Sequence, residues 1–160
     1  GARPVCHTDP MDLSHTLPRS PRITRHGVAM VARTADKARA AAAGTLGPYT
    51  YACRMSRLLF AFLETTAEEF QAATVSTPED DGIDHFVQDR LRVIGRTATD
   101  VERFNQSIHA PPSTDAIIDF LEERQEAVPT RRDIWTYVDL IDAEEGRDVP
   151  VRRDTPDWAA

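Results

Sequence analysis

Helix breakers punctuate this chain so often that no long regular element fits between them. Gly44 and Gly47-Pro48, then Pro78, Gly95, Pro111-Pro112, Pro129 and Gly146 divide it into short stretches. Glycine ends a helix by turning left-handed, and proline ends one because it lacks an N–H and its ring clashes with the preceding turn. Within the stretches, apolar residues recur at spacings of three or four, and strand signals are scarce. The pattern predicts an all-α, single-domain orthogonal bundle of about six to seven short helices.

Start signals place those helices. Ser20-Pro21 reads as the opening of a first helix that runs to Ala43, with serine as cap and proline at the first helical position. Its apolar stripe includes Ile23, Met30, Val31, Ala38 and Ala41. The opposite face carries Arg22, Arg25, His26, Arg33, Asp36 and Lys37, and Asp36 is spaced to pair with Arg33 or Arg39. Gly44 is placed to end this helix. A second helix follows from about Cys53 to Glu64, with Leu59 and Leu63 inward. Thr66 and Glu69 form a capping box for a third. Thr77-Pro78 opens a fourth toward Ile94, and Thr99 with Glu102 reads as the box of a fifth. Ser113 or Thr114 caps a sixth, from Asp115 to Ala127, in which Ile117, Ile118, Phe120 and Leu121 point inward. Thr130 to Asp133 starts the last, with Trp135 in its core set.

The domain is expected to span residues 11–150. Residues 1–10 read as a tail or upstream extension, with Met11 as the natural start, and residues 151–160 as a surface C-terminal tail. At 160 residues, 41% hydrophobic and 28% charged, the chain can bury one core without metal or disulfide staples. No apolar run approaches the ~20 residues of a membrane helix, and no secretory signal is visible. Cys6 and Cys53 are the only cysteines, which makes a disulfide framework a poor fit. These features together favour the cytoplasm and no membrane association.

Charge narrows the partners. A net charge of −7 argues against general nucleic-acid binding, whose affinity rests on neutralising phosphates. The distribution is uneven, however. Residues 19–47 hold six bases against one acid, whereas residues 64–102 hold ten acids against three arginines. The chain has eighteen arginines and one lysine, Lys37. A lysine that survives such bias is a candidate for a role that needs a compact charge or a movable pKa.

The segment from Arg33 to Arg57 concentrates the chemistry. Arg33, Asp36, Lys37 and Arg39 lie at the end of the first helix. Tyr49 and Tyr51 follow in a brief extended stretch where alternate side chains share a side. Cys53, Arg54 and Arg57 open the second helix, whose unpaired N–H groups and positive dipole favour an anion and disfavour arginines unless one is present. The expected role is therefore a binding or regulatory module, with Arg33, Asp36, Lys37, Arg39, Tyr49, Tyr51, Arg54 and Arg57 around a small anionic ligand or an acidic protein segment. The alternative is a small enzyme using Cys53 as nucleophile, or Lys37 as base or imine former. A thiol at a helix N-terminus beside cations has a lowered pKa. A third account is structural: Asp139, Asp142 and Glu145 of the last helix neutralise the basic face of the first.

No cofactor or metal is called for. Asp80, Asp81 and Asp84 have the D-D-x-x-D spacing of diphosphate-magnesium sites, but acids in the first turn of a helix are explained by its dipole. The histidines at 7, 15, 26, 85 and 109 lack ligand spacing, and there is no Walker-type, G-x-G-x-x-G, G-x-S-x-G or C-x-x-C motif.

Four groups of residues carry a family resemblance: the opening from Met11 through Pro18 to Pro21; Arg33, Asp36, Lys37 and Arg39; Gly44, Gly47, Tyr49, Tyr51 and Cys53; and Asp142, Glu145 and Arg147. Together the chain resembles a bacterial family known as domain of unknown function 5069, over nearly its whole length. The resemblance implies that Lys37 belongs to the family pattern. Where that pattern has an acid before the first tyrosine and a proline and an aspartate after the cysteine, this chain has Pro48, Arg54 and Ser56. The resemblance brings no activity, cofactor or partner with it.

Overall fold

The computed structural model describes residues 11–160; the expected tail at 1–10, with Cys6, lies outside the described residues. Seven α-helices follow in order: α1 Val31–Ala43, α2 Arg54–Leu63, α3 Ala67–Val75, α4 Asp81–Val93, α5 Ala98–Ile108, α6 Ile117–Ala127 and α7 Tyr137–Glu144. Short 3-10 turns precede α6 (Thr114–Ala116) and close the chain (Asp157–Ala159). The described residues contain no strand, so the molecule is all-α, and none of its helices is long and apolar enough to cross a membrane.

The helix α1 lies at the centre. Its alanines 32, 35, 38 and 40 are fully buried, which lets neighbouring helices come close to its backbone. The main core gathers Met30 and Val31 with Leu59 and Leu63 of α2, Phe70 of α3, Ile83 and Val87 of α4, and Phe104 of α5. Phe60 and Phe70 meet at 5.4 Å between ring centroids, flanked by Tyr51 and Phe86 at angles near edge-to-face, the arrangement aromatic quadrupoles prefer. A smaller second core joins Phe120 of α6 to Ile134 and Leu140.

The first helix is shorter than the spacing predicts. Ser20-Pro21 does not start it; α1 begins ten residues later, at Val31. Residues 25–28 instead form a tight turn in which Arg25 and Val28 exchange both backbone hydrogen bonds, at 3.1 and 3.0 Å. The central pair, His26 (φ 50°) and Gly27 (φ 76°), has the positive dihedrals that such a turn requires. Asn105 of α5 fixes the turn, donating to the Gly27 carbonyl and accepting from the Ala29 N–H. The expected polar face of the first helix is also absent, because Arg33, Asp36 and Lys37 are all buried.

Other starts shift for local reasons. The fifth helix opens one cap earlier, on Thr97, which forms a full capping box with Asp100 and displaces the Thr99–Glu102 reading. The last helix starts at Tyr137, not at Thr130, because Thr136 supplies the cap, its hydroxyl accepting from the Asp139 N–H, while Arg131 pairs with Asp133 in the loop ahead. Ile118, expected inward, is 70% exposed. Gly44 ends α1 left-handed, as the sequence predicts. Gly47 cannot be replaced, since a Cβ there would lie 2.8 Å from the Leu13 carbonyl oxygen.

Residues 151–160 do not simply trail along the surface. Trp158 packs edge-on against Phe120, Ala159 is fully buried, and Arg152 covers the Trp135 ring at 4.2 Å. Arg124 of α6 ties this segment down: its Nη1 donates to the carbonyls of Arg132 (2.9 Å), Ile134 (2.8 Å) and Ala159 (2.7 Å). Arg124→Ala is expected to cost about 2–3 kcal/mol in urea unfolding, because hydrogen bonds from a charged donor are lost and buried carbonyls are left unpaired. It should also open the C-terminal segment to carboxypeptidase.

Candidate functional site

The segment singled out by sequence resolves into two layers around Tyr49. In the first, Arg33 makes a two-pronged pair with Glu145, at 2.8 and 2.7 Å, with both side chains less than a tenth exposed. Tyr49 donates to the same carboxylate at 2.8 Å, and Arg147 also pairs with it. Burial, then the bond to Glu145 and its charge, push the Tyr49 phenol up to about 12, so it remains a donor. Burial alone would raise Glu145, but the hydrogen bonds and charge of Arg33, with help from Arg147 and Tyr49, hold it below its ordinary value.

The second layer holds the thiol. Cys53 caps α2 at its N-terminal end with an extended backbone, and the first turn beyond it contains no acid. Lys37 donates from Nζ to Cys53 Sγ at 3.3 Å. Lys37 is only 5% exposed, and no carboxylate forms an ion pair with it among the described residues. Its ammonium lies 5.9 Å from the centre of the Tyr49 ring. On the other side of the sulfur, the Ser56 hydroxyl is at 3.4 Å and Thr34 stands 3.3 Å behind Ser56, both fully buried. Burial pushes the Cys53 thiol up; the Ser56 hydroxyl, the Lys37 charge and the Ser56 N–H more than offset it, so the thiol lies below its ordinary value.

A cavity of about 350 Å³ opens in front of Cys53. The residues bounding it include Arg54 and Leu58 of α2, Pro111 and Pro112 after α5, Glu123 of α6 and Tyr137 of α7. Lys37 lies behind the sulfur, outside that lining. The volume falls at the small end of ligand pockets, ~300–1,000 Å³.

The remaining expected site residues disperse. Asp36 pairs with Arg19 and not with Arg33 or Arg39, and Arg39 goes to Asp80 and the Glu79 carbonyl. Asp80 also takes Arg19, and Asp84 takes Arg25, so these two carboxylates of the D-D-x-x-D stretch are occupied by arginine. Tyr51 donates to the Ala67 carbonyl at 2.6 Å, away from Tyr49. Arg54 rests over the Tyr137 ring at 5.9 Å, and Arg57 is exposed. Asp139 and Asp142 pair with Arg22, ahead of α1, and only Glu145 reaches α1 itself.

Thr34, Ser56 and Glu123 are members of the site that sequence reasoning missed. Thr34 precedes Lys37 by three, and Ser56 follows Cys53 by three, the spacing that puts two side chains on one helix face. That signal was present once both helices were in register.

The sequence profile of the family described as Domain of unknown function (DUF5069) matches residues 15–147, most of the chain, and the chain belongs to that family. No curated protein matches it.

The Arg33–Glu145 pair sets an acid limit on the fold. A carboxylate whose folded pKa is depressed adds stability above its unfolded pKa, and that stability is lost as the pH falls through the folded value. Stability should therefore decline below pH about 4.3, the ordinary glutamate value. Glu145→Gln should flatten that decline and cost about 3 kcal/mol at pH 7, because it leaves Arg33 buried without a counter-charge. Urea midpoints measured from pH 3 to 8 check both.

Proposed function

We propose that this member of the DUF5069 family is a small thiol-dependent enzyme whose nucleophile is Cys53. The observation that carries the reading is the Lys37–Cys53 contact of 3.3 Å, in which a buried ammonium has a sulfur as its hydrogen-bond acceptor. Burying an ammonium without a counter-ion costs several kcal/mol. A thiolate at Cys53 relieves that cost, and the α2 dipole and the Ser56 hydroxyl stabilise the same charge. Lys37 is then a positioning residue that holds the sulfur ionised. The thiolate attacks an electrophilic atom of a small substrate seated in the adjoining cavity. A free, reduced cysteine in this role fits a cytoplasmic setting.

A second reading keeps Arg54 and Arg57, which have no carboxylate partner among the described residues. It treats the start of α2 as a binding site for a small anion or an acidic partner segment, without chemistry. Arg33 and Arg39, the other cations expected there, are already neutralised by Glu145 and Asp80.

The rate of carboxamidomethylation by iodoacetamide, followed against pH, separates the two. For the thiol reading, Cys53 reacts faster than a model thiol at pH 7, and its profile turns over below that of the model thiol. Thiolate absorbance near 240 nm follows the same curve. Lys37→Met moves both curves to higher pH, and Ser56→Ala does so less. A Cys53 that titrates like a model thiol, unmoved by Lys37→Met, overturns the reading.

A further inference from the structure

We infer that the cavity in front of Cys53 takes a small organic anion with a short apolar body and an electrophilic carbon, its negative group held by Arg54 and its carbon placed on the thiolate. This deepens the thiol reading above and rests on it. The cavity wall is mostly apolar, with Leu58, Ile108, Pro111 and Ile141 among its lining residues. Such surface favours a hydrocarbon body over a sugar or a peptide backbone. Arg54 is the one cation in the lining, and no carboxylate forms an ion pair with it among the described residues. Arg54 is exposed and shares its lack of an acid partner among the described residues with Arg57 and Arg103, whereas Arg19, Arg22, Arg25, Arg33, Arg39 and Arg147 each pair with an acid; its place in the lining is what sets it apart. Tyr137, itself in the lining, supports the Arg54 guanidinium from one face at 5.9 Å.

The surrounding field has the same sign. Residues 47–63, which supply the turn into α2 and the helix itself, contain no acid. The α2 N-terminus points its dipole at Cys53, and the buried Lys37 directs its ammonium at the sulfur from behind. Glu123 is the one acid in the lining. It neighbours Glu144, an exposed residue whose carboxyl is nonetheless raised to about 7, by desolvation first and then by Glu123 and Glu145.

The bond changes are those of a substitution. The Sγ–C bond forms as the bond from that carbon to its leaving group breaks, and the leaving group departs with the electron pair. No oxidant or reductant is needed. Halogenated acids reproduce the step with iodide as leaving group, which makes them direct probes.

The experiment compares second-order rates of Cys53 alkylation by iodoacetate and by iodoacetamide at pH 7. The ratio of the anionic to the neutral reagent should exceed that of free cysteine by about fivefold or more. Arg54→Gln should lower that ratio by about tenfold, whereas Arg103→Gln, which removes an exposed charge from α5, should keep it within about twofold. In the unmodified protein, hexanoate should slow labelling by iodoacetamide, and neither acetate nor hexanol should match it at equal concentration. Hexanoate protection and the wild-type ratio stand even if Arg54→Gln fails to fold. Fast labelling by both reagents with a ratio like free cysteine's, and no protection by hexanoate, overturns the ligand class and leaves the thiolate reading intact. Slow labelling by both overturns the thiolate reading on which it rests.

Discussion

Burying a charged helix is the constraint from which the rest of the arrangement follows. The helix α1 is enclosed by its neighbours and carries Arg33, Asp36 and Lys37 into the interior. Arg33 and Asp36 are each met by a counter-charge, because an unpaired buried ion costs several kcal/mol, and Lys37 is met by the Cys53 sulfur. Asp36 is met by Arg19, which must reach it from the segment ahead of α1. That segment is therefore extended and turned, and does not continue the helix. Arg33 is met by Glu145, which fixes how the end of α7 lies against α1. The acidic stretch at Asp80 and Asp84 is drawn in by Arg19, Arg25 and Arg39. One helix thus anchors segments that are distant in the chain through paired ions as well as through its alanine surface.

The same constraint explains what was legible in the sequence. The all-α class and the ends of most helices rest on local signals: Gly44, the Thr66 cap and the breaks at Pro111-Pro112 act within a few residues of themselves. The late start of α1, well past Ser20-Pro21, has a different origin. Ser20 and Pro21 are sound local signals, but Arg22 and Arg25 pair there with Asp142 and Asp84, residues distant in the chain. The turn at His26 and Gly27 is held by Asn105, and Met30, also at positive φ, donates its N–H to the Pro21 carbonyl; no local pattern announces either contact. Tertiary context overrides propensity where long-range partners are strong.

The candidate site follows the same division. Lys37 and Cys53 were both visible, one as the sole lysine and the other as a helix-start thiol. Their contact depends on how α1 and α2 fold back across the Gly47-Pro48 turn, and that is a tertiary fact. Pairing of the arginines was also hidden in one respect. Charge counting shows an excess of bases at 19–47, yet it cannot say which bases find acids elsewhere. Once Arg33 and Arg39 are neutralised, the positive field left near α2 comes from Lys37, Arg54, Arg57 and the helix end.

The choice of lysine at position 37 has a geometric reason. Arg33 and Lys37 lie one turn apart on α1 and both approach the Tyr49 ring, at 5.6 and 5.9 Å. Arg33 faces a carboxylate, whose two oxygens match the two-pronged guanidinium. Lys37 faces a single sulfur atom. A guanidinium there would have donors aimed at fully buried space with one acceptor to share, and unmet donors in the interior are costly. An ammonium is a compact point charge that can put its donor on one atom. In a chain that uses arginine eighteen times and lysine once, lysine stands at the place where the acceptor is a single sulfur.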